Sequence, residues 1–127
     1  MSWRPALTND DQAILEMSAE LYREDPGIRP VSQEQTRNTL AELRKNPVRG
    51  AAWVLDLDGA RGYAFLITFW SNEVGGEICT VDEIFVRKEL RGTGHGRRFF
   101  KKLLEEKKSL AVDLEVTPAN ARARRST

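Results

Sequence analysis

The first regular pattern of apolar positions along the chain has helical spacing. Ile14, Met17 and Leu21 recur every three or four residues, which predicts a helix with one buried face. Thr8 stands where an N-cap is expected, and Asp25 comes directly before a Pro-Gly pair that should end the helix.

A second helix is predicted directly afterwards. Ser32 can cap its start, and Gln35 occupies the capping-box position, from which its side chain can return a hydrogen bond. Thr36, Leu40 and Leu43 would share its buried face, and the Asn-Pro pair at 46–47 should stop it.

From residue 51 the period of the pattern changes to two. Trp53 and Leu55 alternate with Val54, which is typical of a strand with one face in a core. Asp58-Gly59 follows, and this dipeptide between two alternating runs is a strong hairpin signal. The next run, residues 63–70, is apolar on both faces and predicts a second, antiparallel strand.

A third strand is predicted over residues 77–86, which extends the hairpin into an antiparallel meander. Strict alternation assigns its side chains to two faces. One face would hold Ile78, Thr80, Asp82, Ile84 and Val86, and the other Glu77, Cys79, Val81, Glu83 and Phe85. Asp82 and Glu83 should therefore point in opposite directions.

An amphipathic helix over residues 94–109 and a strand over residues 111–116 complete the pattern. The apolar stripe of the helix consists of Phe99, Phe100, Leu103 and Leu104. Thr117-Pro118 has the form of a further helix start.

The composition limits the class of protein. A chain of 127 residues, 40% of them hydrophobic, has the size of one domain. One Cys and one His allow neither an internal disulfide nor a structural zinc site. The sequence has no apolar run of membrane-spanning length and no signal-like start, so we expect a cytoplasmic chain without a membrane segment.

The charges are unevenly distributed, although the formal net charge is only +1. Eight basic and fourteen acidic side chains precede residue 87, and twelve basic and five acidic ones follow from there. The near-neutral total and the lack of a recognition motif argue against a nucleic-acid partner.

A glycine-rich turn lies where the basic segment begins, between the third strand and the amphipathic helix. It consists of Arg91, Gly92, Thr93, Gly94, His95 and Gly96. Free backbone N–H groups and the helix dipole favour a bound anion at such a place. A Rossmann motif would need glycine at position 97, where the chain has Arg97, and a Walker motif would need Gly-Lys-Ser/Thr at the helix start.

Arg91, Gly94 and Gly96 match the R-x-x-G-x-G acetyl-coenzyme A signature, so the chain resembles the GCN5-related N-acetyltransferases (GNAT). The strand before the turn resembles that family's fourth strand. The opening residues 3–6, the two early helices, the hairpin and residues 114–123 also follow the family's order. The resemblance covers residues 1–127 as one domain.

The resemblance implies an α+β fold of three layers, α/β/α, with a mixed, mostly antiparallel central sheet and helices on both faces. The sheet would be splayed between its fourth and fifth strands, with acetyl-coenzyme A as co-substrate in the cleft. The pantetheine arm would pair with Ile84, Phe85 and Val86, and Asn120 could also hold the coenzyme. The pyrophosphate would rest on the N–H groups of Arg91, Gly92, Thr93, Gly94, His95 and Gly96.

The chemistry implied by the resemblance needs a base. A lysine-like amine, with a pKa of about 10.4, must lose a proton before it attacks, which costs about 4.6 kcal/mol at neutral pH. Asp82 and Glu83 are the candidates for the general base. Asp82 occupies the position that matches the family's acidic residue and is preferred, whereas Glu83 could pair with an Arg or Lys beneath the sheet.

The chain departs from the family pattern at its C-terminal end. The tyrosine that usually protonates the coenzyme A thiolate would follow Asn120, and no tyrosine follows it. The family's last helix and strand are also missing, so the domain is expected to be C-terminally short. Tyr63 could approach an acceptor pocket or be a packed residue of the sheet.

Two functions are therefore considered. The first is acetyl-coenzyme A-dependent N-acetyl transfer to a small-molecule or peptide amine, by direct attack in a ternary complex and without a metal. The alternative is a catalytically impaired coenzyme A-binding or interaction module with the same fold. An open sheet edge would also favour a homodimer.

Overall fold

After a short first strand, the helices and strands follow one another in the order that the sequence pattern predicts. The structure, a computed structural model, describes residues 2–25, 30–106 and 111–113. Its elements are β1 (Trp3–Pro5), α1 (Asp11–Glu24), α2 (Gln33–Lys45), β2 (Gly50–Asp56), β3 (Ala60–Ser71), β4 (Gly76–Val86), α3 (His95–Glu106) and β5 (Ala111–Asp113). Single turns of 3-10 helix at Thr8–Asp10, Pro47–Arg49 and Lys88–Leu90 lie between them.

The strands form one sheet in the order β1-β2-β3-β4-β5. The first four strands are antiparallel to their neighbours, whereas β5 runs parallel to β4 and pairs with it from Ile78 to Thr80. The prediction of a mixed, mostly antiparallel sheet is confirmed. The remainder of the predicted last strand, the helix predicted from Thr117, and Asn120 lie outside the described residues.

Two hydrophobic cores lie on opposite faces of the sheet, which confirms the three-layer α+β architecture. The core under α1 and α2 consists of Ile14, Met17, Leu21, Leu40, Leu43, Val54, Tyr63, Phe65 and Phe85. The core under α3 consists of Trp3, Trp53, Leu55, Ala64, Leu66, Cys79, Val81, Ile84, Val86, Phe99 and Leu103. β2 and β3 send alternate side chains into the two cores, as their period of two predicts.

The two early helices begin differently. The capping box of α2 is confirmed, because the Gln35 N–H donates to Ser32 Oγ at 3.1 Å and Gln35 Oε1 accepts from the Ser32 N–H at 2.7 Å. The N-cap predicted at Thr8 is wrong. The carboxylate of Asp10 accepts the Leu7 N–H at 2.7 Å and is held by Arg4 at 2.8 Å, so a 3-10 turn precedes α1. Thr8 is the first residue of that 3-10 turn, and α1 begins after Asp10 without a side-chain cap.

A β-bulge interrupts β4 at Asp82. Phe65 of β3 is opposite Glu83, but the next residue, Leu66, is opposite Val81, so β4 contains one residue more than β3 at this point. Cys79 and Val81 consequently face α3 together with Ile84 and Val86. The predicted strict alternation along β4 is therefore wrong, because an extra residue exchanges the two faces.

Candidate functional site

The glycine turn connects the end of β4 to the start of α3. Gly92 has φ +81° and Gly94 has φ +90°, in the left-handed region that glycine adopts most readily. The Arg98 N–H donates to the Gly94 carbonyl at 3.0 Å, which is the first bond of the helical ladder. The N–H groups of His95 and Gly96 precede that bond and have no acceptor within the helix. The turn thus has the geometry of an anion-binding helix start.

The side chain of Arg98 folds back over the turn. Its Nη2 atom lies 3.1 Å from the Thr93 carbonyl oxygen and 3.0 Å from His95 Nδ1. Burial, and then the charge of Arg98, lower the pKa of His95 below its ordinary value. His95 therefore stays neutral at neutral pH, while Arg98 supplies a positive charge beside the N–H groups. In the sequence, Arg98 is one of several basic residues around the apolar stripe of the helix, and nothing local distinguishes it.

The side chain of Arg91 points away from the turn. Its Nε donates to the Val86 carbonyl at 2.8 Å, its Nη2 lies 2.9 Å from Glu24 Oε1, and its guanidinium lies 5.0 Å from the centre of the Phe85 ring. Arg91 thereby ties the end of β4 to the end of α1. Its backbone N–H donates to the Lys88 carbonyl at 3.2 Å, so neither the side chain nor the N–H of Arg91 points to the anion position that the sequence predicted for it.

The N-terminal strand supports the start of α3. Trp3 Nε1 donates to the His95 carbonyl at 2.9 Å, and the Trp3 ring packs edge-on against Phe99 with the centroids 4.9 Å apart. Lys102 donates to the Trp3 carbonyl. No local pattern predicted these contacts, since Trp3 and His95 are 92 positions apart.

Ile84, Phe85 and Val86 form the end of β4 that leads into the turn. They lie beyond Thr80, the last residue of β4 that pairs with the described part of β5. The side chains of Ile84 and Val86 are buried under α3, and that of Phe85 is buried under α1. Their main chain thus continues from the β4–β5 pairing to the glycine turn.

Asp82 and Glu83 occupy different environments at the bulge. Asp82 is exposed, whereas only 9% of Glu83 is accessible. Glu83 Oε2 accepts from the Tyr22 hydroxyl at 2.5 Å, and Glu83 Oε1 accepts from the Tyr63 hydroxyl at 2.7 Å. The suggestion that Glu83 pairs with an Arg or Lys is wrong, because α1 and β3 bring two tyrosines to it.

Burial and hydrogen bonding shift the pKa values of this cluster. Burial raises the pKa of Glu83, and the bonds from Tyr22 and Tyr63 partly oppose that increase. Burial together with the Glu83 carboxylate raises the pKa of both tyrosines above the ordinary value. Both hydroxyls therefore remain donors to Glu83 across the neutral pH range.

The two tyrosines are the only ones in the sequence, so their ionisation can be followed in the intact chain. We expect no phenolate absorbance until the pH is well above the ordinary tyrosine pKa of about 10. Glu83→Gln should bring ionisation to lower pH, because it removes the negative charge beside both hydroxyls. The denatured chain, in which both should titrate normally, is the control. Native tyrosines that titrate at the ordinary value would contradict this arrangement.

A cleft of about 360 Å³ lies between α2 and β3, on the face of the sheet that also carries Glu83. Its lining consists of Asn38, Thr39, Glu42, Leu43, Arg49, Ile67 and Thr68. Ile67 is two residues along β3 from Phe65, which is opposite Glu83, so the cleft begins about 7 Å from that point of the sheet. Glu42 and Arg49 form an ion pair at 2.7 Å beside it.

Residues 2–25, 30–106 and 111–113 contain no group of three or more His, Cys, Asp or Glu side chains that could hold a metal ion. Within the same ranges, no helix has the length and apolar character needed to cross a membrane.

The sequence matches the model of the Acetyltransferase (GNAT) family over residues 13–126. No curated protein matches the chain. Among solved structures, an integron cassette protein from the mobile metagenome of Cole Harbour salt marsh is 24% identical, with a TM-score of 0.77. The alignment covers 97% of this chain and 82% of that one.

Two further structures are similar in fold. A predicted acetyltransferase from Clostridium acetobutylicum, solved with acetyl-CoA, is 14% identical with a TM-score of 0.72, covering 96% of this chain and 84% of that one. Glucosamine-6-phosphate N-acetyltransferase from Arabidopsis thaliana is 15% identical with a TM-score of 0.70, covering 99% and 91%.

Proposed function

Because the chain belongs to the GNAT family of acetyltransferases, we propose that it transfers the acetyl group of acetyl-coenzyme A to an amine. The observation that carries the proposal is the glycine turn at the start of α3. Its left-handed glycines leave the N–H groups of the first helical turn open to an anion, and Arg98 adds a positive charge. A pyrophosphate is the anion that this arrangement would hold.

The proposed coenzyme site extends from the turn along β4. Gly92, Thr93, Gly94, His95 and Gly96 would bind the pyrophosphate, Arg91 would hold the start of the turn in place, and the main chain of Ile84, Phe85 and Val86 would pair with the pantetheine arm. Asn120 is a further proposed contact from the sequence. The Clostridium acetobutylicum protein of similar fold, solved with acetyl-CoA, supports the choice of ligand.

The proposed reaction is a direct attack in a ternary complex. The amine nitrogen forms a bond to the thioester carbon, the carbon–sulfur bond breaks, and a carboxylate on β4 accepts the amine proton. Asp82 and Glu83 are the candidates, and they are adjacent at the bulge. Asp82 is exposed and Glu83 is buried under α1, and the charge of Asp82 raises the pKa of Glu83 and of Tyr22.

The proposed acceptor is a small-molecule or peptide amine. The cleft between α2 and β3 lies on the Glu83 face, and its lining includes the amide of Asn38 and the hydroxyls of Thr39 and Thr68. The similar fold of a glucosamine-6-phosphate N-acetyltransferase supports a search among amino sugars first. A cytoplasmic location and a homodimer through the sheet edge remain predictions.

Calorimetric titration with acetyl-coenzyme A, followed by thiol release across a panel of amines, tests this function. We expect saturable binding, thiol release with at least one amine, and a fall of about 100-fold or more in turnover when the base is neutralised. Asp82→Asn and Glu83→Gln identify the base, and Glu73→Gln, the same change at an exposed residue of the β3–β4 connection, is the matched control.

The outcomes separate the two functions considered. No binding at millimolar acetyl-coenzyme A would overturn both the site and the activity. Binding without thiol release across the panel would instead favour a coenzyme A-binding module.

A further inference from the structure

A chain of hydroxyl groups connects both early helices to the bulge. Thr36 Oγ1 of α2 lies 3.1 Å from Ser18 Oγ of α1, and Ser18 lies beside the Tyr63 hydroxyl, whose pKa it lowers. Tyr63 and Tyr22 then donate to the two oxygens of Glu83. Tyr63 is fully buried and Tyr22 is half-buried. Both oxygens of Glu83 are therefore fixed in direction.

The partners of Glu83 differ in kind from those of the carboxylates that pair with arginine in the described part of the chain. Ion pairs with arginine hold Asp10 to Arg4, Asp11 to Arg44, Glu20 to Arg87, Glu24 to Arg91 and Glu42 to Arg49. Glu83 receives two neutral hydroxyl donors instead. Arginine would neutralise the carboxylate, whereas tyrosine stabilises its charge and leaves a lone pair on each oxygen for another donor.

We propose that Tyr22 and Tyr63 are positioning residues that orient Glu83 as the proton acceptor on the α1 side of β4. The inference rests on the proposed function, because Glu83 needs an incoming amine to act on. It assigns the base to the buried carboxylate, whereas the match of the sequence to the family favoured Asp82. Ser18 and Thr36 contact each other, and Ser18 lies beside Tyr63. Neither of them bonds to Glu83.

The groups that face Glu83 determine the expected effect of pH. Tyr22 from α1 and Tyr63 from β3 lower its pKa, while burial and the neighbouring charge of Asp82 raise it. Removing either hydroxyl should therefore raise the pKa of Glu83 further. A base must be deprotonated, so activity is lost as the pH falls through this pKa, and a higher pKa moves that loss to higher pH.

The pH dependence of kcat for Tyr63→Phe and Tyr22→Phe tests the proposal. We expect the acidic limb to move up by about one pH unit in each variant, with about a tenfold lower kcat below the limb and a nearly unchanged KM. Carbon-13 NMR titration of the glutamate carboxyls, with Glu83→Gln to assign the signal, should show the same increase without any acceptor. Thr36→Val is the matched control, since it removes a hydroxyl of the chain that does not touch Glu83.

The outcomes distinguish a failure of the proposed function from a failure of the role proposed for Tyr22 and Tyr63. Wild-type protein that neither binds acetyl-coenzyme A nor releases thiol overturns the proposed function, and the catalytic part of this inference with it. Wild-type turnover with an acidic limb that stays in place in both phenylalanine variants overturns this inference alone, whether or not the NMR titration shifts. Phenylalanine variants that lose stability and keep the wild-type acidic limb would show that the tyrosines are structural.

Discussion

Gly94→Trp is expected to weaken the binding of acetyl-coenzyme A at least about 100-fold, which corresponds to about 2.8 kcal/mol. A side chain on Gly94 begins over the helix start, where its Cβ would lie 3.1 Å from Arg98 Nη1. The indole would therefore displace Arg98 and cover the N–H groups of His95 and Gly96. Calorimetric titration measures the loss, and circular dichroism checks that the fold is kept.

Gly75→Trp is the matched control for this variant. Gly75 also has a positive φ, +69°, and a Cβ there meets no atom within 4 Å, so the strain is similar and the turn is distant. We expect the affinity of Gly75→Trp to stay within about twofold of the wild type, a difference of less than about 0.5 kcal/mol. Equal affinities for the two variants would show that acetyl-coenzyme A does not bind at the glycine turn.

Trp3→Ala is expected to lower the free energy of unfolding by about 3–5 kcal/mol. Trp3 is 1% exposed, and its ring packs against Phe99, so truncation leaves a large cavity in the core under α3. The hydrogen bond from its indole to the His95 carbonyl is lost as well. Chemical denaturation followed by circular dichroism measures the change.

Two other variants show where that loss comes from. Trp70→Ala removes the same side chain from a site that is 68% exposed, and should change stability by less than about 0.5 kcal/mol. Trp3→Phe keeps an aromatic ring without the indole N–H and should fall between the two. A Trp3→Ala loss as small as that of Trp70→Ala would contradict the packing described for β1.

The elements that the sequence predicts well are those specified by neighbouring residues. The capping box of Ser32 and Gln35 needs only four consecutive positions, and the hairpin at Asp58-Gly59 needs two. The bulge in β4 depends instead on how many residues β3 places opposite it. The alternating pattern of one strand does not show how that strand pairs with its neighbour. The predicted faces of Cys79 and Val81 were therefore wrong.

The candidate site also combines features that consecutive residues specify with features that depend on distant residues. The glycine turn was located from consecutive residues, because left-handed glycines before a helix form a local pattern. The contact of Trp3 with His95 and the bonds of Tyr22 and Tyr63 to Glu83 join residues that are distant in the sequence. Such contacts appear only when helices and sheet are packed together, so sequence reasoning could not identify the neighbours of Glu83.

One residue of β4 is not needed for the packing of the sheet. Without Asp82, the strand from Cys79 to Val86 would alternate without interruption, and Cys79, Val81, Ile84 and Val86 would still face α3. Deletion of Asp82 would therefore leave both cores with the same side chains. What the strand would lose is a local bend and an exposed carboxylate, in the segment between the β5 pairing and the glycine turn. The extra residue contributes shape and charge to β4, and hydrophobic packing does not require it.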